Sequence, residues 1–518
     1  MKEFILNNAE AQQVDRYAID TLKIPGVELM QLAGSYVSMK AKKILKHVPG
    51  SHVDIFCGTG NNGGDGFVAA QQLSEWGATV NIWLVGVPEK IVGDALHFYG
   101  KCVNKRIKII SIAGQKELPA AKQIAESDLI IDALLGTGFK GEVRGIIREL
   151  IELINVSKRP VISVDIPSGV SGDTAQTGGV AVQATRTVTM GFLKRGLMFQ
   201  PGKRLAGNIV LADLKYPIQS FKILEHETYL IDRHIVRNLI PVIFDDTYKH
   251  QQGKVLIFAG SPGMTGAAYL ASQAALRSGA GLVINAVPAG LNPIMEIKTI
   301  ETLTLPLPES KTGTFCLNSL HAAGERIKWS DVIVFGPGVS SNAELRDFGI
   351  ALLQTVIKPA IVDADGLCVF HDNLDLIHKI DDLIITPHLG EFAKLSGYKI
   401  ADIKANIIDI AREFVLKYPC TLVLKGAPTI VVSPAGEVGV NSSGNPGLAT
   451  GGTGDVLTGL IAGLRAQKMT SFDAAISAVF IHGLAGDLGR NNFGVRGLIA
   501  GDLLNYIPGI LKEYEKVQ

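Results

Sequence analysis

Apolar and polar positions follow two rhythms along this chain. Near its start Val14, Ala18 and Leu22 recur every four residues after Asn8, which is placed to cap a helix, until Pro25-Gly26 breaks the pattern. Met30, Ala33, Val37, Ala41 and Leu45 then mark one face of a second helix that ends near Pro49-Gly50. Beyond it, short apolar runs alternate with helical stretches. His52–Cys57, Thr79–Val85, Asp128–Leu135 and Pro160–Ile166 read as strands, with a helix over Phe67–Trp76. Buried runs separated by helices predict a parallel sheet covered on both faces.

A second series begins after about residue 225. Strands are expected at Lys254–Ala259, Leu282–Val287, Val332–Phe335, Ala360–Val362, Leu383–Ile385 and Thr421–Leu424, with helices at Thr265–Arg277 and Glu344–Val356. A hairpin over Thr429–Val440, turning at Pro434-Ala435-Gly436, leads into the glycine-rich stretch Gly444–Gly454 and closing helices after Asp455. The rhythm lapses within Ser220–Tyr248. Two α/β domains, 1–224 and 225–518, are therefore expected.

Composition narrows the field. At about 150 residues per domain, 518 residues allow three or four domains or two large ones. Glycine numbers 57, and these glycines sit inside apolar stretches, as strand–turn–helix corners require, rather than in linkers. Fifty Lys and Arg against 49 Asp and Glu give +1, so no overall field recruits nucleic acid or an anionic membrane. The five cysteines form no Cys-x-x-Cys pair, and polar residues follow Met1 at once, so a cytoplasmic protein is expected.

Two glycine-rich corners carry candidate chemistry. In the first half, Gly58, Gly60 and Gly63 follow a strand and precede a helix, where backbone N–H groups can approach phosphate oxygens. A dinucleotide-binding acid about 20 residues further on is missing. Around Gly63 and Gly64, the residues Asn61, Asn62 and Asp65 add side-chain oxygens that a plain phosphate turn does not need. Asp132 lies inside an apolar strand, and Val161–Val164 runs straight into Asp165-Ile166-Pro167-Ser168-Gly169. Oxygens of Asn62, Asp132 and Ser168 suit a hard cation. In the second half, the amides of Gly452–Asp455 open an apolar helix and form an anion hole, with Asp455 either a helix cap or a base. Lys425, Gly426, Ala427, Pro428 and Thr429 follow a strand and are placed to hold a nucleotide phosphate. Gly336-Pro337-Gly338, Asp363-Ala364-Asp365-Gly366 and Thr386-Pro387-His388-Leu389-Gly390-Glu391 also follow strands, and His388 is as readily a turn residue. The P-loop, Gly-x-Ser-x-Gly and His-Glu-x-x-His patterns are absent.

Taken together and in this order, the motifs resemble the bifunctional NAD(P)H-hydrate repair enzymes over nearly the whole chain. Asn61–Gly66, Asp132 with Gly136-Thr137-Gly138, and Asp165–Gly169 resemble the epimerase domain. Gly336–Gly338, Thr386–Glu391, Lys425-Gly426 and Gly451–Asp455 resemble the dehydratase domain. Gln31-Leu32 stands where the family more usually has Glu-Asn. The resemblance implies a Rossmann-like three-layer epimerase domain and a ribokinase-like dehydratase domain. It implies interconversion of R and S hydrates of NADH or NADPH, and dehydration of the S form with ADP or ATP as phosphoryl donor. By the same resemblance Asp165 and Asp455 are the catalytic residues. Asn61–Asp65 with Gly136, Thr137, Gly138, Phe139, Lys140, Gly141 and Glu142 bind the epimerase substrate. Ala267, Gly338, His388 and Asp455 bind the dehydratase substrate, and Lys425–Thr429 with Gly454 bind the nucleotide. Asn62, Asp132 and Ser168 hold K⁺ in the first site, Mg²⁺ serves the second, and a homo-oligomer is expected. The alternative is a ribokinase-like small-molecule kinase fused to a dinucleotide-binding module.

Overall fold

The computed structural model describes residues 2–517. The chain divides into two compact units, the first spanning Glu3–Glu225 and the second running from His226 onward.

The first unit is built on a seven-stranded sheet in the order Lys108–Ile112, Thr79–Val85, His52–Cys57, Leu129–Ala133, Val161–Val164, Arg186–Met190 and Asn208–Ala212, all parallel. Alternate residues of one strand serve two cores. Val53, Ile55 and Cys57 pack with buried residues of the helices Gly26–Leu45, Asn61–Glu75 and Gly93–Asn104. Phe56, Trp83 and Ile130 pack on the other face with Leu150, Ile151 and Ile154 of the helix Gly145–Val156. Each such fully buried side chain contributes about 1.5–3 kcal/mol, which is why three layers form. Three strands escape the apolar pattern because polar residues interrupt them: Lys108–Ile112, Arg186–Met190 and Asn208–Ala212.

Local chemistry shifts several boundaries. Asn7, not Asn8, caps the first helix: its side chain accepts from the Glu10 amide at 2.8 Å, and the Glu10 carboxylate accepts from the Asn7 amide at 2.8 Å. The helix Gly26–Leu45 stops before Pro49, at Lys46 with φ 61°. The largest difference lies at the first glycine corner. The helix begins at Asn61 rather than Phe67, so Asn61–Gly66 already lie in its first turns. Gly63 packs against the preceding turn so closely that a Cβ there would lie 2.0 Å from the Gly58 carbonyl oxygen. Close backbone approach therefore explains that glycine without a phosphate.

The second unit carries a ten-stranded sheet. Seven strands run parallel in the order Leu303–Leu307, Leu282–Pro288, Lys254–Phe258, Val332–Phe335, Ala360–Val362, Leu383–Ile385 and Thr421–Leu424. Ile430–Val432 and Val438–Asn441 continue it as an antiparallel meander, and Thr228–Ile231 closes the edge. Leu303–Leu307 carries Pro306 and sits at the opposite edge, where a residue lacking an N–H is tolerated. Buried Ala268, Ala271, Ala274 and Ala275 of the helix Thr265–Arg277 share one core with Val456, Leu457, Leu460 and Ile461 of the helix Thr453–Ala466. Among the described residues no helix is long and apolar enough to cross a membrane.

The tight Gly58–Gly63 approach yields a stability test. Gly63→Ala is expected to destabilise the first unit by about 1–3 kcal/mol in urea unfolding. Gly138→Ala, where a Cβ meets nothing within 4 Å, is expected to stay within about 0.5 kcal/mol of the wild type.

Candidate active sites

In the first unit the acids gather where the parallel strands end. Asp132 is fully buried, and its carboxylate accepts from the Ser163 hydroxyl at 2.7 Å, the Ser168 amide at 2.9 Å and the Ser168 hydroxyl at 2.5 Å. Burial pushes its pKa up, and the Ser168 and Ser163 hydrogen bonds oppose that. Ser168 also accepts from the Leu135 amide at 2.9 Å. Asn62 abuts Gly136, next along from that corner, and its buried Nδ2 has no hydrogen-bond partner among the described residues.

Asp165 follows Val164 with φ 65°, a left-handed conformation costing about 1 kcal/mol or more in a non-glycine residue. Its Oδ1 is anchored by Lys194 Nζ at 2.5 Å, the Met190 amide at 3.0 Å and the Thr189 hydroxyl at 3.3 Å. These bonds all go to one oxygen. Lys194 is 3% exposed and also donates to the Met190 carbonyl at 2.8 Å. Asp165, Lys194 and Asp65 line a cavity of about 670 Å³, a size that suits a small-molecule site, together with Asp15 and Tyr216, which share a 2.5 Å hydrogen bond. Asn61, Asn62, Gly136, Thr137, Gly138 and Phe139 line the same cavity. Gly63 and Gly64 are buried in the helix start instead, while Lys140, Gly141 and Glu142 lie exposed outside the lining, Glu142 being paired with Arg144 at 2.8 Å.

Lys194 was not legible as a site residue. The available signal is a cationic pair, Lys194-Arg195, inside an otherwise apolar stretch; both are nearly fully buried, and Arg195 pairs with Glu10 at 3.0 Å.

In the second unit, Asp363 ends the strand Ala360–Val362 and is fully buried. It binds Lys425 Nζ at 2.7 Å and accepts from the Thr458 hydroxyl at 2.6 Å. Burial opposes its ionisation, but Lys425 and these hydrogen bonds outweigh it and hold the carboxyl below its ordinary value. Lys425 follows Thr421–Leu424, its amide donating to the Pro387 carbonyl at 2.8 Å, which sets His388 alongside it. The His388 ring caps the next helix, with Nδ1 accepting from the Gly390 and Glu391 amides at 3.0 and 3.1 Å. Gly338 sits against Ala267, whose Cβ would be 2.8 Å from a Cβ at Gly338. Gly426 and Ala427 are exposed, and the Thr429 hydroxyl bonds back to the Gly426 carbonyl at 3.2 Å.

The last glycine cluster is held by polar ties on its flanks. Gly452 has φ 89°, and a Cβ there would fall 2.6 Å from Leu270 Cδ1. The Thr453 hydroxyl donates to the Leu448 and Thr450 carbonyls at 2.9 and 3.0 Å. His482, half-buried and pushed down to about 4 by desolvation, is neutral near pH 7, and its Nε2 lies 2.9 Å from the Thr453 carbonyl oxygen. Gly454 faces Lys425 and Asp363, at 3.5 and 4.0 Å from where its Cβ would lie. Asp455, third in the helix Thr453–Ala466, makes no capping bond, and its half-buried carboxyl has no hydrogen-bond partner among the described residues. Burial and the charge of Asp363 push it up to about 7, with Lys425 opposing.

Comparison with known proteins decides the family. The family model described as NAD(P)H-hydrate dehydratase matches residues 255–509, and that of the YjeF-related protein N-terminus matches 26–196. A bifunctional NAD(P)H-hydrate repair enzyme of Moorella thermoacetica is 39% identical over 99% of this chain and 97% of its own. The chain belongs to the bifunctional NAD(P)H-hydrate repair enzymes. Another member, from Thermofilum pendens, is 36% identical over 97% of this chain and 95% of its own. A solved ADP/ATP-dependent NAD(P)H-hydrate dehydratase of Bacillus subtilis, co-crystallised with ATP and Mg²⁺, is 27% identical over 55% of this chain and 98% of that one, with a TM-score of 0.48. In this repair enzyme the dehydratase match lies on the second unit and the YjeF-related match on the first.

The position of Asp455 makes a stability prediction. A carboxyl raised from about 4 to about 7 contributes stability that is greatest at low pH and is lost as pH rises through about 7. Asp455→Asn is therefore expected to melt higher than the wild type at pH 8, with the gain shrinking at pH 4. A difference that is the same at both pH values contradicts this.

Proposed function

We propose that the first unit interconverts the R and S hydrates of NADH and NADPH, and that the second returns the S hydrate to the reduced dinucleotide using ADP or ATP. The observation that carries the reading is the unbonded carboxyl of Asp455 beside the Lys425–Asp363 pair, at the amide-rich start of a helix. Hydroxide is a poor leaving group and phosphate a good one. Asp455 takes the proton of the C6 hydroxyl as that oxygen attacks the terminal phosphorus of the nucleotide. The Gly452–Gly454 amides stabilise the moving phosphoryl group, and Lys425–Thr429 hold the donor. The ring nitrogen's electron pair then expels phosphate, and loss of the C5 proton restores the double bond. Ala267, Gly338 and His388 bind the hydrate. Mg²⁺ would arrive on the nucleotide phosphates as part of the substrate and neutralise their charge.

In the first unit Asp165 is the acid/base group near C6, while the cavity-lining residues Asn61, Asn62, Asp65 and Gly136–Phe139 clasp the hydrate. The oxygens of Asp132 and Ser168, with Asn62 against Gly136, form a donor set that fits a hard cation such as K⁺. Held by Asn62, Asp132 and Ser168, K⁺ would supply positive charge against the Asp132 carboxylate. We place the protein in the cytoplasm, where its five cysteines, all free thiols, stay reduced.

The two reactions separate by mutation. Asp455→Asn is expected to abolish phosphate release and recovery of reduced dinucleotide while R/S exchange continues. Asp165→Asn is expected to leave S-hydrate repair intact and slow R-hydrate repair to its spontaneous rate. Chromatography of nicotinamide and adenine products checks both. A phosphorylated product that accumulates in the wild type would support a small-molecule kinase instead.

A further inference from the structure

Asp65 is the unexplained group in the first cavity. It lies in the helix Asn61–Glu75, is 9% exposed, lines the cavity, and has no hydrogen-bond or ion-pair partner among the described residues. A buried carboxyl left unpartnered is costly, so its retention beside a cavity needs a reason. Its neighbours are charged: Asp165 from the strand end, Asp15 from the helix Asn8–Arg16 and Lys194 all couple to it, and the Cys57 thiol and Tyr216 sense it. Asp165 differs from it in kind. Lys194, the Met190 amide and the Thr189 hydroxyl all bind Asp165 Oδ1, leaving Oδ2 unclaimed.

We propose that Asp65 is a second catalytic group of the first unit, a proton donor that works with Asp165 to invert C6 of the hydrate. This rests on the epimerase reading above. Inversion requires a bond to C6 to break and re-form. Loss of the hydroxyl would leave an iminium whose C5 proton can depart, giving the reduced dinucleotide directly and making the phosphoryl-driven second site redundant. Opening the ring avoids that leak. The hydroxyl proton passes to the Asp165 carboxylate, a C6=O bond forms, and the C6–N1 bond breaks with its electron pair going to N1, which takes the proton of Asp65. Rotation about C5–C6 presents the other face of the carbonyl. N1 adds back and returns its proton to Asp65, while Asp165 gives its proton to the oxygen. One carboxylate and one carboxylic acid enter and leave each cycle.

The site supports these starting states. Burial and the charge of Asp165 push Asp65 well above the ordinary aspartate value, with Lys194 opposing, so Asp65 starts as the acid beside a lysine-paired carboxylate. Alkaline pH removes the proton that N1 needs, so the inversion rate falls as pH rises through the Asp65 transition.

The test uses the full-length chain with purified R hydrate and no nucleotide, following R/S composition by chromatography. Asp65→Asn keeps the shape and an N–H donor but has no acidic proton. It is expected to lower kcat about 100-fold or more, the scale of a lost general acid, with KM little changed and the alkaline limb of the pH profile gone. Asp65→Glu, which restores an acid, is expected to recover activity and that limb. In oxygen-18 water the C6 oxygen is expected to stay unlabelled through one inversion. Undiminished kcat in Asp65→Asn, a loss confined to KM, or one label gained per inversion would overturn the proposal. A wild-type chain that fails to interconvert the epimers would overturn the epimerase reading and this proposal with it.

Discussion

In each unit a lysine, buried in the first and half-buried in the second, is bonded to one aspartate, and a second aspartate nearby is left without such a partner. Lys194 holds Asp165 beside Asp65; Lys425 holds Asp363 beside Asp455. One positive charge within a low-dielectric corner offsets one carboxylate well and a second only partly. The second carboxyl is therefore driven toward its protonated form at a pH where exposed aspartates are ionised. Each unit thereby holds a carboxyl that keeps its proton above the ordinary aspartate range.

Parallel strands supply the placement. Asp165, Asp363, His388 and Lys425 each lie within three residues after a strand, and Asp132 sits near the end of its own. A parallel sheet brings those ends to one edge, the crevice where ligands bind in such folds. Backbone strain adds to this in the first unit, where Asp165 is held left-handed by bonds from Met190 and Lys194. In the second unit, Gly452 takes a positive φ and sends the chain into the helix that carries Asp455. That turn is stiffened by Thr453 and His482 beneath it, and Asp487 ties the approaching loop through Gly444 and Asn445.

Much of this was legible in the sequence because local and tertiary signals agree. The mainly apolar runs His52–Cys57, Val332–Phe335 and Thr421–Leu424 read as buried parallel strands, and they are. Asp132 and Asp165 stand out because acids interrupt or end such runs. The two edge strands and their neighbour Arg186–Met190 were harder, since Lys108, Arg186 and Asn208 break the pattern that burial would impose. The Asn61–Gly66 segment looked like a loop because it contains three glycines and follows two more, yet tertiary packing against Gly58, Cys57 and Met30 makes it helical. Lys194 was missed for a different reason. Its partner lies 29 residues earlier in sequence and meets it only through the sheet, so no local pattern signals the pair.

The arrangement of two aspartates sharing one lysine is open to direct observation. In a chain labelled with carbon-13 at the aspartate carboxyl carbons, the Asp455 resonance, assigned by its loss in Asp455→Asn, is predicted to titrate with a midpoint near 7. The Asp65 resonance is predicted to stay in its protonated position well above the ordinary aspartate range. Midpoints near 4, the value of an unperturbed carboxyl, at both positions would contradict the account.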